Sequence, residues 1–546
     1  MRKKWLAVVL CAAMVLSLTA ALGTAQAADA VRTVTVFIAD AMDQPTSDNK
    51  IYKLIEQELG VKFEFEFLAG DLDETLGIKI AGQDYADVIC GSNSAETLIA
   101  AGAHINLLDY ITPEKTPTLW AHYEPYLKRL IMPDGGLYVM PSYGRIYNDE
   151  IINYINGPAF WIQKKVLAWD GYPTIKTLDQ YFDLISRYVA ANPTTADGLP
   201  VSGFEVLTDG WRNFCLRNPV QHLMGHPNDG DVFVHWDEDY KVDRYHSKDY
   251  AKQYWQTLND AFNAGLIEQD TFVQNFDQYI AKISTGRVVA MFDQYWNYEN
   301  AVNALRTAGK DEDTYVGVPI VFDESIEEHY LDQTIINVNR GFGISVNAKD
   351  PEFLVQLFDT MLSEKWQTIL NWGIEGEDYY VDENGRFRRT DEQKKNAEDL
   401  IWRNANTARQ WWYNSPKREG TMDDGNSWAP GSQPELYFEQ MSAYDQDFLN
   451  HYGLKTFAEF ANPGQPNEPY YPVWQFDFNP YPDIQDISAK LGDIEARDLP
   501  ALIMSKPGEF DANWETFVKT HNAGGVAEFE EQVHTMILEL NAKLGD

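Results

Sequence analysis

Residues 284–297 read Ser-Thr-Gly-Arg-Val-Val-Ala-Met-Phe-Asp-Gln-Tyr-Trp-Asn. Asp293, Gln294 and Asn297 supply a carboxylate and two amides, and Tyr295 and Trp296 supply flat apolar faces. Rings combined with directional hydrogen-bonding groups are what binding a sugar requires. The residues just before them must position the set. Residues 288–292 form an apolar run of strand length, too short for a free-standing helix, and a glycine turn leads into it. A strand that delivers such groups at its carboxyl end suits the ligand cleft of an α/β protein. The same residues also allow a plainer arrangement, in which Tyr295 and Trp296 open a helix and bury in the core.

Motifs for other chemistries are missing from the sequence. It has no phosphate-binding glycine loop, no His-Glu-x-x-His, no paired Cys-x-x-Cys and no Gly-x-Ser-x-Gly elbow. His222 and His226 are spaced to share a helix face, but Pro227 follows at once, which makes them a poor zinc pair. Two carboxylates could run glycoside hydrolysis, yet among 83 acidic residues the sequence selects no pair.

The first 27 residues read as an export signal: Arg2, Lys3 and Lys4, then an apolar stretch, then Ala25-Gln26-Ala27 as the cleavage site. Cys11 lies inside the apolar stretch without a small residue before it, so it is a poor lipid-attachment cysteine. No later run of about 18 apolar residues suggests a membrane span. The formal charge is −39, and loss of the three basic residues takes it to −42. Such a surface repels nucleic acid and anionic lipid, and mildly disfavours a uronate. Cys90 and Cys215 remain, expected as two buried free thiols, although one disulfide is open in an exported chain. The length suits two domains, and an aromatic share of 13% in an acidic exported chain hints at carbohydrate.

The elements that must position the site begin with a β-α-β-α-β series. Residues 33–38, 61–67 and 87–90 read as strands, and helices over 51–59, capped by Ser47 or Asp48, and over 71–81 separate them. A parallel sheet with helices on both faces is expected. Gly91-Ser92-Asn93-Ser94 then lies at a strand's carboxyl end, as a plain loop or a ligand loop. Residues 137–141, 317–321 and 341–346 are further strand candidates. Residues 160–169 read as amphipathic, and helices are expected near 179–191, over 249–265, after Asp350 with Pro351 at its first position, and over 526–544. After residue 373 the pattern loosens. Residues 416–434 and 463–482 are expected as long loops.

The order of several segments resembles a known family. These are Asp87-Val88-Ile89 followed by Ile105-Asn106-Leu107-Leu108-Asp109, then residues 161–167 with Pro173-Thr174, then residues 258–270 containing Ala264-Gly265-Leu266-Ile267. Last comes Gly373-Ile374-Glu375-Gly376-Glu377-Asp378-Tyr379. Each is weak alone, and together they resemble the extracytoplasmic solute-binding proteins of ABC sugar importers. The likeness is to the long branch with alginate-oligosaccharide binders and Gram-positive lipoprotein homologues.

The resemblance implies an α/β, two-lobe periplasmic-binding-protein-like fold with a hinge and an inter-lobe ligand cleft. Residues 28–145 plus 318–372 would form one lobe, and 146–317 plus 373–546 the other. It implies a non-enzymatic, monomeric protein outside the cytoplasm that hands an oligosaccharide to an ABC permease and binds no nucleic acid. The alternatives are a secreted glycan-degrading enzyme or a binder of peptides or another non-sugar solute. The cleft walls it implies fall at Asn93, Tyr143, Trp211, Arg212, Asn213, Asp293, Trp296, Arg340, Trp372 and Glu375, with Trp412 and Tyr437 on later loops. Family members often carry a calcium loop. Here residues 192–200 offer one carboxylate, Asp197, where several oxygens are wanted, so no cofactor is expected.

Overall fold

The computed structural model describes residues 31–142, 152–331 and 336–544. The expected export signal and Tyr143 lie outside these.

Nine strands build two sheets: β1 (Arg32–Ile38), β2 (Val61–Phe67), β3 (Val88–Cys90), β4 (Met140–Pro141), β5 (Pro158–Gln163), β6 (Ser202–Glu205), β7 (Val288–Gln294), β8 (Tyr315–Val318) and β9 (Gly341–Ile344). The first sheet runs β2-β1-β3-β9-β4 and the second β8-β5-β7-β6. The β-α-β-α-β series is present. β1 pairs in parallel with β2, Arg32 opposite Val61, and with β3, Ile38 opposite Cys90. The parallel sheet expected of this series is present in these three strands, and the later strands make the whole sheet mixed. β9 joins β3 and β4 antiparallel. In the second sheet β5 is antiparallel to both neighbours, and only β6 and β7 are parallel. β9 and β8 return from a distant part of the chain, so no local crossover constrains their direction.

Each sheet has its own core. One is built from Val34, Val36, Val88, Phe342 and Ile344 against Leu354, Phe358 and Trp366. The other is built from Phe160, Ile162, Ala290 and Phe292 against Tyr181, Tyr254 and Trp255. The chain revisits them late: Ala408 and Trp411 pack in the first core, and Phe448, Leu499 and Phe517 in the second.

Local chemistry explains most element ends. The helix Lys50–Leu59 is capped by Asn49, not by Ser47 or Asp48. The Asn49 amide also donates to the carbonyls of Asn404 and Thr407, so a tertiary contact selects the cap. Thr177 and Gln180 form a capping box on Leu178–Ala191. Asp350 caps Pro351–Met361 as expected. Residues 160–169, expected as one amphipathic element, divide into β5 and the helix Lys164–Trp169. All six β5 side chains are buried, and a strand covered on both faces shows no alternation. The strand expected over 137–141 is confined to β4, and those over 317–321 and 341–346 become β8 and β9. The looser region after residue 373 holds unforeseen helices, among them Pro434–Gln440, Pro482–Ile503 and Phe510–Asn522. Val526–Leu544 is helical as read. Cys90 and Cys215 are buried free thiols. Among the described residues, no helix is long and apolar enough to cross a membrane.

Candidate functional site

β7 is the inner strand of the second sheet that carries Asp293 and Gln294 at its carboxyl end, and the helix Tyr295–Thr307 starts at the next residue. Tyr295 and Trp296 therefore open a helix, but their fates differ. Tyr295 packs on Trp161 and Tyr298. Trp296 stays 40% exposed. Beside it stands Trp211, 63% exposed, from the turn Gly210–Asn213. The two indoles are nearly parallel, 10° apart with centroids at 5.8 Å. Phe214 supports both rings from one side. Large exposed apolar side chains gathered in one place are a notable surface feature, and here two indoles are held parallel to each other.

Polar groups lie beneath the pair. The Arg212 guanidinium sits 4.5 Å from the Trp211 ring centroid and 3.9 Å from that of Phe276. Its Nε donates to Asn297 Oδ1 at 3.0 Å. Asp293 is fully buried and accepts from Tyr279 Oη (2.8 Å), Asn297 Nδ2 (3.0 Å), the main-chain N–H of Gln294 (2.7 Å) and Cys215 Sγ (3.3 Å). Burial pushes its carboxyl up to about 6, against the pull of these donors. This group therefore stabilises the fold fully below the ordinary aspartate value near 3.9. The contribution is lost as pH rises through about 6.

The other expected wall residues form separate groups. Asn93 is exposed and accepts from Asn337 Nδ2 at 3.4 Å. Arg340 pairs with Asp40 at 2.5 Å and donates to Ser92 Oγ at 3.2 Å. These groups gather at the carboxyl ends of β1 and β3 in the first sheet. Glu375 is exposed in the turn after Trp372. Trp412 is half-buried with Lys417 over its ring, and Tyr437 stacks on Tyr154 at 6.4 Å. Asn213, Asp293 and Trp372 differ from a wall position because each is buried in this structure. The Trp372 indole packs on Tyr379 and Phe387 and donates to the Ser427 carbonyl at 3.0 Å. Sequence reasoning missed the second rank, Cys215, Tyr279 and Asp40, and named Ser92 only as part of its loop. Nothing in their spacing marks them, since each arrives from a different element.

A cavity of about 470 Å³ lies away from the indole pair. Glu96, from the helix after Asn93, lines it with Arg217, Phe476, Asp477 and Phe478. Burial pushes the Glu96 carboxyl up to about 7, with nearby Asp477 adding to the shift.

The residues present do not fit a calcium loop at 192–200. Asp197, its one carboxylate, is paired with Lys310 Nζ at 2.6 Å, and Thr195 turns inward to the Leu199 amide. Calcium or EDTA should each move the melting temperature by less than about 1 °C, because only a ligand bound to the native state shifts it. A rise of several degrees with calcium would reveal another donor set. The His246, Glu495 and His521 group has metal-like spacing. However, Arg244 and Arg217 already occupy Glu495 at 2.6–2.8 Å, so the group is an ion-pair core.

Two sheets with separate cores and a chain that crosses between them repeatedly make up an α/β fold that this chain shares with solved solute-binding proteins. It matches solved structures of that kind over nearly its whole length. The extracellular solute-binding protein of Bifidobacterium longum subsp. infantis superimposes with a TM-score of 0.67 at 16% identity, covering 95% of this chain and 100% of that one. FusA of Streptococcus pneumoniae in complex with kestose gives 0.65 at 17% identity, covering 94% and 100%. In sequence the chain is similar to the same FusA, a fructooligosaccharide ABC transporter substrate-binding protein, with 23% identity over 367 residues. The aligned stretch spans 64% of each chain, just under two thirds of the relative's length. No protein-family model matches the chain.

Proposed function

We propose that this protein captures an oligosaccharide outside the cytoplasm and delivers it, unchanged, to an ABC transporter permease. The observation that carries the reading is the exposed, parallel Trp211–Trp296 pair at the end of an inner strand. The kestose held by FusA, on the same fold, supports the ligand class. Residues 28–145 with 318–372 form one lobe, and 146–317 with 373–546 the other, except that Val318, Ile320 and Tyr330 pack in the second core and the helix Arg409–Trp412 in the first. Trp211, Trp296 and Arg212 contact the sugar from the second lobe. Asn93, Arg340, Glu375 and Trp412 complete the site, with Tyr437 at its edge, and Asn213, Asp293 and Trp372 support it from behind. Ligand contacts made only when the lobes close favour the closed state. The protein is a monomer exported by a cleaved signal, and it catalyses nothing. Of its site carboxylates, Asp293 is sealed and Glu375 has no acidic partner in the set, so the pair that glycoside hydrolysis requires is missing from it.

The test is a thermal-shift panel of purified protein with kestose, other oligosaccharides and short peptides. The reading predicts a rise with at least one oligosaccharide, which is recovered intact afterwards. A rise with peptides alone, or hydrolysis of the sugar, would contradict it.

A further inference from the structure

One carboxylate is tied to both indoles of the exposed pair by short, fully specified links. Toward Trp211 the path is Asp293 to Asn297 Nδ2 (3.0 and 3.2 Å to its two oxygens), Asn297 Oδ1 to Arg212 Nε (3.0 Å), then the guanidinium against the indole face. Toward Trp296 the link runs through the backbone: Asp293 Oδ1 accepts from the Gln294 main-chain N–H (2.7 Å), which fixes the chain where the helix starts, and the Gln294 side-chain Oε1 accepts from the Trp296 indole N–H (2.8 Å). The main-chain carbonyl of Asp293 is itself fixed by the Trp161 indole N–H at 2.8 Å.

We propose that Asp293 is a positioning residue: through Asn297 with Arg212, and through Gln294, it holds the Trp211–Trp296 pair in register without touching the ligand. The inference rests on the reading of that pair as the sugar platform.

The physical case is one of orientation. An asparagine side chain can present its oxygen or its nitrogen to a neighbour. Two carboxylate oxygens accept only, so they force Asn297 to point its NH2 inward and its oxygen outward to Arg212. A neutral group at 293 removes that constraint. Asn297 is then free to turn, Arg212 loses its acceptor, and the cation leaves the face of Trp211. The groups facing Asp293 are Cys215 from the helix Phe214–Arg217, Tyr279 from Phe276–Ser284, and Asn297 and Tyr298 from Tyr295–Thr307. Arg212 is the cation facing it, and Asp209 and Asp277 act on Arg212 from outside. Burial raises the Cys215 thiol and the Tyr279 and Tyr298 phenols, so these stay neutral near pH 6. Asp293 is then the group in this set that changes charge there, and the pair should loosen on acidification.

The experiment uses full-length protein labelled with 5-fluorotryptophan, without ligand. The Trp211 and Trp296 fluorine resonances are assigned by Trp211→Phe and Trp296→Phe. In wild type both should move together between pH 7.5 and 5, with a midpoint near 6. In Asp293→Asn they should sit at the low-pH position throughout, while the melting temperature at pH 7.5 does not fall, because a buried charge has been removed. Arg212→Gln, a half-buried change at the edge of the second core, should release the Trp211 resonance and leave that of Trp296 in place. Resonances that ignore both pH and Asp293→Asn in folded protein would overturn the proposal. A second arm measures kestose affinity, expected to fall at least tenfold in Asp293→Asn with both indoles present. If wild type binds no oligosaccharide, the platform reading fails while the fluorine spectra still decide the positioning role.

Discussion

Replacing Trp211 and Trp296 together by alanine is expected to weaken oligosaccharide binding by a factor of about 100 to 1000, with little change in stability. Each ring contributes about 0.5–1.5 kcal/mol by face contact beyond the apolar area it covers. With that area included, two rings amount to about 3–4 kcal/mol, and every 1.4 kcal/mol is tenfold in affinity. The fold should tolerate the loss. Both side chains are well exposed, and the aromatic neighbour they share, Phe214, stays anchored in the second core. Surface changes of this kind usually stay within about 0.5 kcal/mol. Calorimetry with the bound sugar reads the first quantity and urea unfolding the second. Unchanged affinity would remove the pair from the site. A large loss of stability would show that the rings serve the core instead.

The second large effect concerns Glu495. This side chain is fully buried at the middle of the helix Pro482–Ile503. It takes Arg244 through both oxygens at 2.6 and 2.8 Å, Arg217 at 2.7 Å and His521 at 2.8 Å. Arg244 is itself buried and lies over Phe529 at 4.9 Å. The cluster thus ties three late helices to Arg244, which follows the short strand Lys241–Asp243 of a separate hairpin. Glu495→Ala leaves a buried guanidinium without its counter-charge, which should cost about 3–5 kcal/mol. Replacing the pair jointly, Arg244→Met with Glu495→Leu, should recover much of that loss, because the buried Arg244 is gone and Arg217 keeps Asp231 as its partner. Burial alone would push the Glu495 carboxyl up, but Arg244, His246 and Arg217 outweigh it and hold it well below the usual range. A lowered carboxylate stabilises the fold above its unfolded value, near 4.3, and the contribution fades as pH falls through the folded value. Wild type should therefore approach Glu495→Ala in stability under strong acid. A constant gap at every pH would contradict this account of the cluster.

The first sheet and β7 were legible in the sequence because their signals are local. Val61, Phe63, Phe65 and Phe67 alternate with charges along an edge strand, and residues 288–292 are apolar between a glycine turn and a polar set. β5 was not legible as a strand, because burial on both faces removes alternation. The helix Pro482–Ile503 was hidden by Gly492 and Pro500 and by Glu495, a buried charge that reads as a surface residue until Arg244 arrives from 251 positions away. The same limit applies at the site. Trp211 and Trp296 were singled out by type, 85 positions apart, but their parallel approach is a product of the fold. The burial of Asp293 could not be read, since its partners Cys215 and Tyr279 come from two other helices. A residue's type indicates the chemistry available to it, and only the packing decides whether that chemistry faces solvent or supports a neighbour.

The most direct test of the central claim is a structure of the protein with a bound oligosaccharide, beginning with kestose. The account predicts a sugar ring laid flat on the face of Trp211 or Trp296, with Arg212 within hydrogen-bonding distance of its hydroxyls and groups from the first sheet closing over it. A sugar seated elsewhere with both indoles bare to water, or two lobes that close on a ligand of another class, would contradict it.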